Sequence, residues 1–335
     1  MRMGFYELKR KVLIGVFAAV TGALLLLAPS VRQVLAGPVR VGVFPNLHCA
    51  LIYLADSQGY FKKHGIDVVI NAQESGLVAI NELIADKIDI APTAEFAFVL
   101  QAFKHPDLRI VATIYDGSDH DLIVRKDRAI ARPQDLKGKR VAVTQSSSGE
   151  FFLYNYLIFN RMPAGSIHVV YLTPYEIVKA MAAGSVDAAL SWPPYTTQTV
   201  KQLGAKVAAW PAQSGQEWYL VLLAKEGFLK NQPKTMEQFL AALSDAEGFI
   251  AKYPDRAQAI LRNILKMDAE TFLHDWSGSR FQLLLTQDLL VLMEREAKWA
   301  MRSNLVEKRE MPNYLDVLNF GALDKVKPEA VTVVH

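Results

Sequence analysis

The sequence repeats itself at long range, and that repeat constrains the fold more than any other feature. Residues 82–91 read ELIADKIDIA and residues 179–189 read KAMAAGSVDAA. Each reads as a helix end, a tight turn and a short strand with Asp in second place. Each follows an earlier strand, VRVGVF at 39–44 and KRVAV at 139–143. Val41 precedes Ile88 by 47 residues and Val141 precedes Val186 by 45. Two α/β units of matched length imply two lobes, and a cleft between lobes is where small ligands bind.

With 335 residues the chain is long enough for two modest domains, each with its own core. Its N-terminus stands apart. Lys9, Arg10 and Lys11 precede an apolar run from Val12 to Ala28, and small residues lead to Gly37. This is the pattern of a signal peptide over 1–36, with a retained membrane anchor at 12–28 as the alternative. Residues 1–36 hold five basic residues and one acidic residue, so 32 and 33 remain after cleavage, a net charge of −1. The apparent basicity belongs to the leader, which argues against a nucleic-acid partner. Cys49 is the only cysteine, which excludes an internal disulfide. A lone thiol of this kind reads as a small buried hydrophobe.

The pattern along the chain is α/β up to about residue 225 and helical beyond. Strands are expected at 39–44, 67–70, 88–91, 109–115, 121–126, 141–144, 169–172, 186–190 and 219–224. Helices are expected at 51–63, from Ser75-Gly76 to 85, 96–103, after the Ser/Gly loop 145–150 to 159 (with Ser148 as N-cap where the loop binds no ligand), and 175–183. The tail predicts helices at 235–252, 255–266, 269–276 and 286–303. The last carries Leu289, Leu290, Met293, Ala297, Ala300 and Met301 on one face. Lobe one would be 37–122 plus 220–335, and lobe two 123–219.

No nucleotide-binding, serine-hydrolase or zinc-protease motif occurs, and the seven histidines show no metal-ligand spacing. What the chain has instead are small polar residues at strand-to-helix junctions. Ser146, Ser147, Ser148 and Gly149, with Phe151 beyond, would bring free N–H groups and hydroxyls to an anionic head group. Ser75 and Gly76 occupy the corresponding place in lobe one. Thr93 and Glu95 follow one copy of the repeat, and Trp192 and Tyr195 the other, beyond the strand ends where open α/β sheets bind ligands. Asn46 and His48 close the first strand, and Glu217 and Trp218 precede the return strand. All of these are candidate ligand-binding residues; none is assigned to catalysis, metal or cofactor.

The ordered set VGVFPNL, GYFKKHGIDVVI, INELIADKIDIAPTAEF, DLKGKRVAVTQSSSGEFFLYNYL, VVYLTPYEIVKAMAAGSVDAALSWPPY and VLLAKEGFLKNQP resembles the solute-binding proteins of nitrate/sulfonate/taurine-type ABC importers. The resemblance implies a type II periplasmic binding fold, with two α/β lobes, two crossing strands and the ligand between them. It implies a monomeric, periplasmic, non-enzymatic carrier of a small anionic or zwitterionic solute. Its partners would be the transmembrane permease subunits and, through them, a cytoplasmic ATPase. It places a ligand's anionic end at Ser146–Gly149 and an amine, where present, at Glu95. His48 with Cys49, and QSSSGEF in place of a glycine-led loop, depart from the commonest family form. The same superfamily extends to binders of thiamine pyrimidine precursors, for which Trp192, Tyr195, Trp218, Glu95 and Glu217 are suited. A synthase-like enzyme on this fold would need a reactive His or a metal cluster in the cleft. A tethered sensory module would retain residues 12–28.

Overall fold

The computed structural model describes residues 37–307 and 310–334. The signal and anchor expectations at 1–36 therefore lie outside the described residues. Among those described, no helix is long and apolar enough to cross a membrane.

Among the described residues ten strands form two five-stranded sheets. They are β1 (Val39–Val43), β2 (Val68–Ala72), β3 (Ile90–Ala94), β4 (Leu108–Gly117), β5 (Asp121–Arg125), β6 (Arg140–Val143), β7 (His168–Tyr171), β8 (Ala188–Ser191), β9 (Val207–Pro211) and β10 (Trp218–Lys225). The orders are β2-β1-β3-β10-β4 and β7-β6-β8-β5-β9. In each sheet three strands run parallel, and the fourth position is filled by an antiparallel strand that has just crossed from the other sheet. The chain leaves the first sheet after Gly117 and returns to it at Trp218. Asp121 and Leu122 thus belong to the second sheet and Trp218 and Tyr219 to the first, so each crossing lies slightly ahead of the boundary expected from sequence.

The repeated aspartates do the same job twice. The Arg40 N–H donates to Asp89 Oδ2 (2.8 Å), and the Asp89 N–H returns a bond to the Arg40 carbonyl (2.8 Å). Arg140 and Asp187 exchange the same two bonds at the same distances. Each carboxylate holds the start of β3 or β8 against the start of β1 or β6, at the sheet end remote from the other lobe. Because the turn is held this way, β3 and β8 begin two residues later than the apolar pattern suggested, at Ile90 and Ala188.

Two further expectations are corrected. The helix expected over 51–63 is broken into Ala50–Ser57 and Tyr60–Lys63 by Gly59, whose φ of +70° only glycine adopts without strain. Ser147, not Ser148, is the N-cap residue of helix Ser148–Phe159.

The tail embraces both lobes. Helix Pro233–Lys252 packs on Ala50–Ser57 of lobe one. Helix Ala269–Trp276 reaches helix Tyr195–Leu203 of lobe two, where the Thr197 hydroxyl donates to Asp275 (2.5 Å). Trp299, on helix Gln287–Arg302, lies 5.5 Å from the ring centroids of both Phe96 (lobe one) and Phe151 (lobe two).

Candidate functional site

The carboxyl ends of β1 and β3 face those of β6 and β8, and the polar junctions meet there. Gly76 lies so close to Thr93 that a Cβ at Gly76 would come within 3.0 Å of the Thr93 Cα. This fixes glycine at the first turn of helix Gly76–Ile84, which Ser75 caps through its hydroxyl (3.3 Å to the Val78 N–H). Thr93, Glu95, Ser148 and Ser191 are all buried. The hydroxyls of Thr93, Ser148 and Ser191 and the Oε1 of Glu95 have no hydrogen-bond partner in the protein. Buried polar atoms left in this way cost about 1–3 kcal/mol each.

Across the boundary, Gly149 is walled by Leu190, the Ser147 hydroxyl and the Trp192 ring, all within 3.4 Å of a Cβ placed there. The Phe151 ring stacks on Phe96 at 6.0 Å. Asn46 joins the lobes directly, its Nδ2 donating to the Pro193 carbonyl (3.0 Å). Trp192 and Tyr195 meet edge to face at 6.3 Å.

The serine loop differs from its expected use. The Ser146 N–H donates to Glu150 Oε2 (2.8 Å), and the Tyr171 hydroxyl to Glu150 Oε1 (2.7 Å). Glu150 is fully buried and takes an amide that an anion would have used. The Ser147 hydroxyl is committed to the Thr144 carbonyl (2.6 Å). Ser146 itself lines an outer cavity of about 510 Å³ between Leu77, Leu100 and Lys104 of lobe one and Gln145 and Tyr171 of lobe two.

His48, Trp218 and Glu217 lie elsewhere. His48 is buried beside Tyr115 and Trp218, its Nε2 2.8 Å from Asp119 Oδ2. Trp218 Nε1–H donates to Asp119 Oδ1 (2.7 Å). Both serve the crossing between the sheets. Glu217 is half-exposed and ion-paired with Arg280.

Electrostatically the inter-lobe region is acidic. Burial pushes the Glu95 carboxyl up to about 7, against the Tyr219 N–H (3.0 Å), which favours its ionised form. Glu296, from the tail helix, is fully buried against it, and burial together with the Glu95 charge raises it well above the ordinary range. Arg125 is the one buried Lys or Arg among the described residues, and it is bound to Asp127 and the Met181 carbonyl. Burial pushes the Cys49 thiol up to about 12, which removes it as a nucleophile at neutral pH. Among the described residues no cluster of side chains suits a metal ion.

Sequence reasoning did not single out Glu296, Ser191 or Asp119. Glu296 carried a signal: it lies three residues after Met293 and four before Ala300, on the apolar stripe of its helix. Ser191 ends a strand whose other copy supplied Thr93. Asp119 precedes His120, and nothing in the spacing of that pair marks either residue.

The NMT1/THI5-like family model matches residues 46–257. The taurine-binding periplasmic protein of Escherichia coli is 24% identical over 67% of this chain and 69% of its own length. A Haemophilus influenzae protein named for thiamine biosynthesis is 22% identical over 74% of this chain and 78% of its own. Among solved structures, the alkanesulfonate-binding protein SsuA of Xanthomonas axonopodis bound to MOPS superposes with a TM-score of 0.73 at 17% identity. That superposition covers 85% of this chain and 99% of SsuA, and it shows the periplasmic-binding-protein fold.

Proposed function

The chain belongs to the NMT1/THI5-like family, and from that premise we propose that it is the periplasmic solute-binding component of an ABC importer. It captures a small solute between its lobes as a monomer and delivers it to a membrane permease. The observation that carries this reading is the set of buried, unpartnered polar atoms contributed by both lobes: Thr93 and Glu95 from one, Ser148 and Ser191 from the other. A polar solute supplies their partners and so links binding to lobe closure. A carrier needs no reactive group, and the bound His48 and high Cys49 thiol fit that role.

Within the class of anionic and zwitterionic solutes, the charge pattern favours zwitterions. The serine loop supplies the donors for the anionic end, but Glu150 holds one amide, and the one buried Lys or Arg among the described residues, Arg125, is taken up by Asp127. A bare anion such as nitrate would meet Glu95 unscreened. An amino-sulfonate such as taurine brings its own cation. Glu95 favours one second reading, an aminopyrimidine solute whose exocyclic amino N–H donates to the same carboxyl while Trp192 stacks on its ring.

Thermal-shift measurements on the purified protein test the proposal. Taurine or a related amino-sulfonate should raise the melting temperature, since a ligand bound only by the native state stabilises it. Stabilisation by a 4-aminopyrimidine alone selects the second reading. No shift with amino-sulfonates, alkanesulfonates, nitrate or aminopyrimidines would remove the carrier assignment.

A further inference from the structure

Glu296 reaches the inter-lobe region from helix Gln287–Arg302, and its carboxyl meets that of Glu95. Both residues are fully buried. Neither Glu296 oxygen, nor Oε1 of Glu95, receives a hydrogen bond from a protein donor. The groups around the pair are few. The Ser148 hydroxyl lies near Glu95 from lobe two but outside hydrogen-bond geometry, and the Tyr219 N–H donates to Glu95 Oε2. The buried Tyr314 hydroxyl faces Glu296, and Arg295 acts on it only from the exposed side of the same helix.

Two carboxylates in contact, out of water and with no cation between them, cannot both be ionised. A proton between them turns the repulsion into a hydrogen bond. It belongs on Glu296, because no donor, the Tyr314 hydroxyl included, lies within hydrogen-bond geometry of its oxygens, whereas ionised Glu95 keeps the Tyr219 N–H.

We propose that protonated Glu296 donates to Glu95 and thereby fixes the floor of the cleft to receive a solute bearing a cationic nitrogen, so that capture of that nitrogen is coupled to release of a proton. Glu296 is then a positioning residue and a determinant of specificity; the proposal rests on the carrier reading above. The balance is simple. Below a pH of about 7, Glu95 also carries a proton. The solute ammonium takes its place at Oε1, that proton leaves to solvent, and Glu296 keeps its own.

The test is calorimetric titration of the purified protein with taurine and with its amine-free analogue ethanesulfonate, from pH 5 to pH 8. The taurine Kd should fall by about tenfold per pH unit up to about pH 7 and then level off, while ethanesulfonate gains nothing from rising pH. Glu296→Leu takes the donor away from Glu95, so levelling should move up by roughly one unit or more, while Glu296→Gln donates through its amide as protonated Glu296 does and should keep the wild-type profile. A flat wild-type taurine profile, or an E296L profile superposing on it, overturns the proposal. Should E296L fold poorly, Glu95→Gln carries the test: the pH dependence for taurine must vanish, and its persistence overturns the assignment. If neither probe binds, the sulfonate form of the carrier reading fails by itself and infrared spectroscopy decides the pair. A buried protonated-carboxyl band in the wild type at neutral pH, absent from the double variant E95Q/E296Q, upholds it; no such band refutes it.

Discussion

Asp119 sits where the chain first crosses from one sheet to the other, and four side chains converge on it. Tyr115 (2.8 Å) and Trp218 (2.7 Å) donate to it, and the His48 (2.8 Å) and His120 (3.2 Å) rings lie against it. Burial opposes its ionisation, but the two imidazoles and their hydrogen bonds win, holding its carboxyl well below the usual range. Asp119→Ala leaves these donors without an acceptor and should cost about 3 kcal/mol in urea unfolding. The pH sign follows from the depressed value. The contribution is fully present above the unfolded carboxyl's pKa of about 3.9 and is lost as pH falls below it. The acid limb of the stability curve should therefore be shallower in Asp119→Asn than in the wild type. A variant with unchanged urea midpoint and acid limb would contradict this account. The sequence showed His48 and Trp218 as residues with chemistry but not where that chemistry is spent. They lie 170 positions apart, and only the return of β10 beside β4 brings them to one carboxylate.

The two β-α-β units show why the fold was more legible than the site. Their strands carry runs of β-branched and small apolar residues, and their turns carry the repeated aspartate, so local pattern and global topology agree. What pattern did not resolve was where each strand starts, because the Asp side chain rather than hydrophobicity sets it. Asp187→Ala should cost about 1–2 kcal/mol through loss of the bond to the Arg140 N–H. Asp89→Ala should cost more, since Asp89 also receives the Arg40 guanidinium at 3.0 and 2.7 Å. Chemical denaturation of both variants checks the order, and equal costs would mean the side-chain pairing adds nothing. The tail helices were predicted as helices from periodicity alone, yet their role depends on tertiary placement. Glu296 lies beyond the family match, which ends at residue 257, and it looks like an error on an apolar stripe until Glu95 is set against it.

At the scale of the molecule, the two lobes meet through a surface of mixed character, and its balance determines what closure requires. Apolar contact favours it: Phe96, Phe151 and Trp299 pack together, with the Tyr154 ring 5.3 Å from that of Trp299. The hydroxyls of Thr93, Ser148 and Ser191 oppose it, since each loses water on burial and gains no protein partner. At about 1–3 kcal/mol apiece, three such hydroxyls offset most of what one aromatic cluster contributes. On the proposed carrier reading closure is then close to balanced, and a solute that satisfies those hydroxyls would tip it. Small-angle X-ray scattering should accordingly show a smaller radius of gyration once the cleft is saturated with a bound solute. Trp299→Ala removes the apolar half of the balance while leaving every hydroxyl in place. It should weaken solute affinity by tenfold or more, about 1.4 kcal/mol, although Trp299 is placed to touch lobes and not solute. The loss should appear chiefly as faster dissociation, because the encounter with an open cleft is unaltered. An affinity equal to the wild type in a folded W299A protein would show that closure does not draw on the tail.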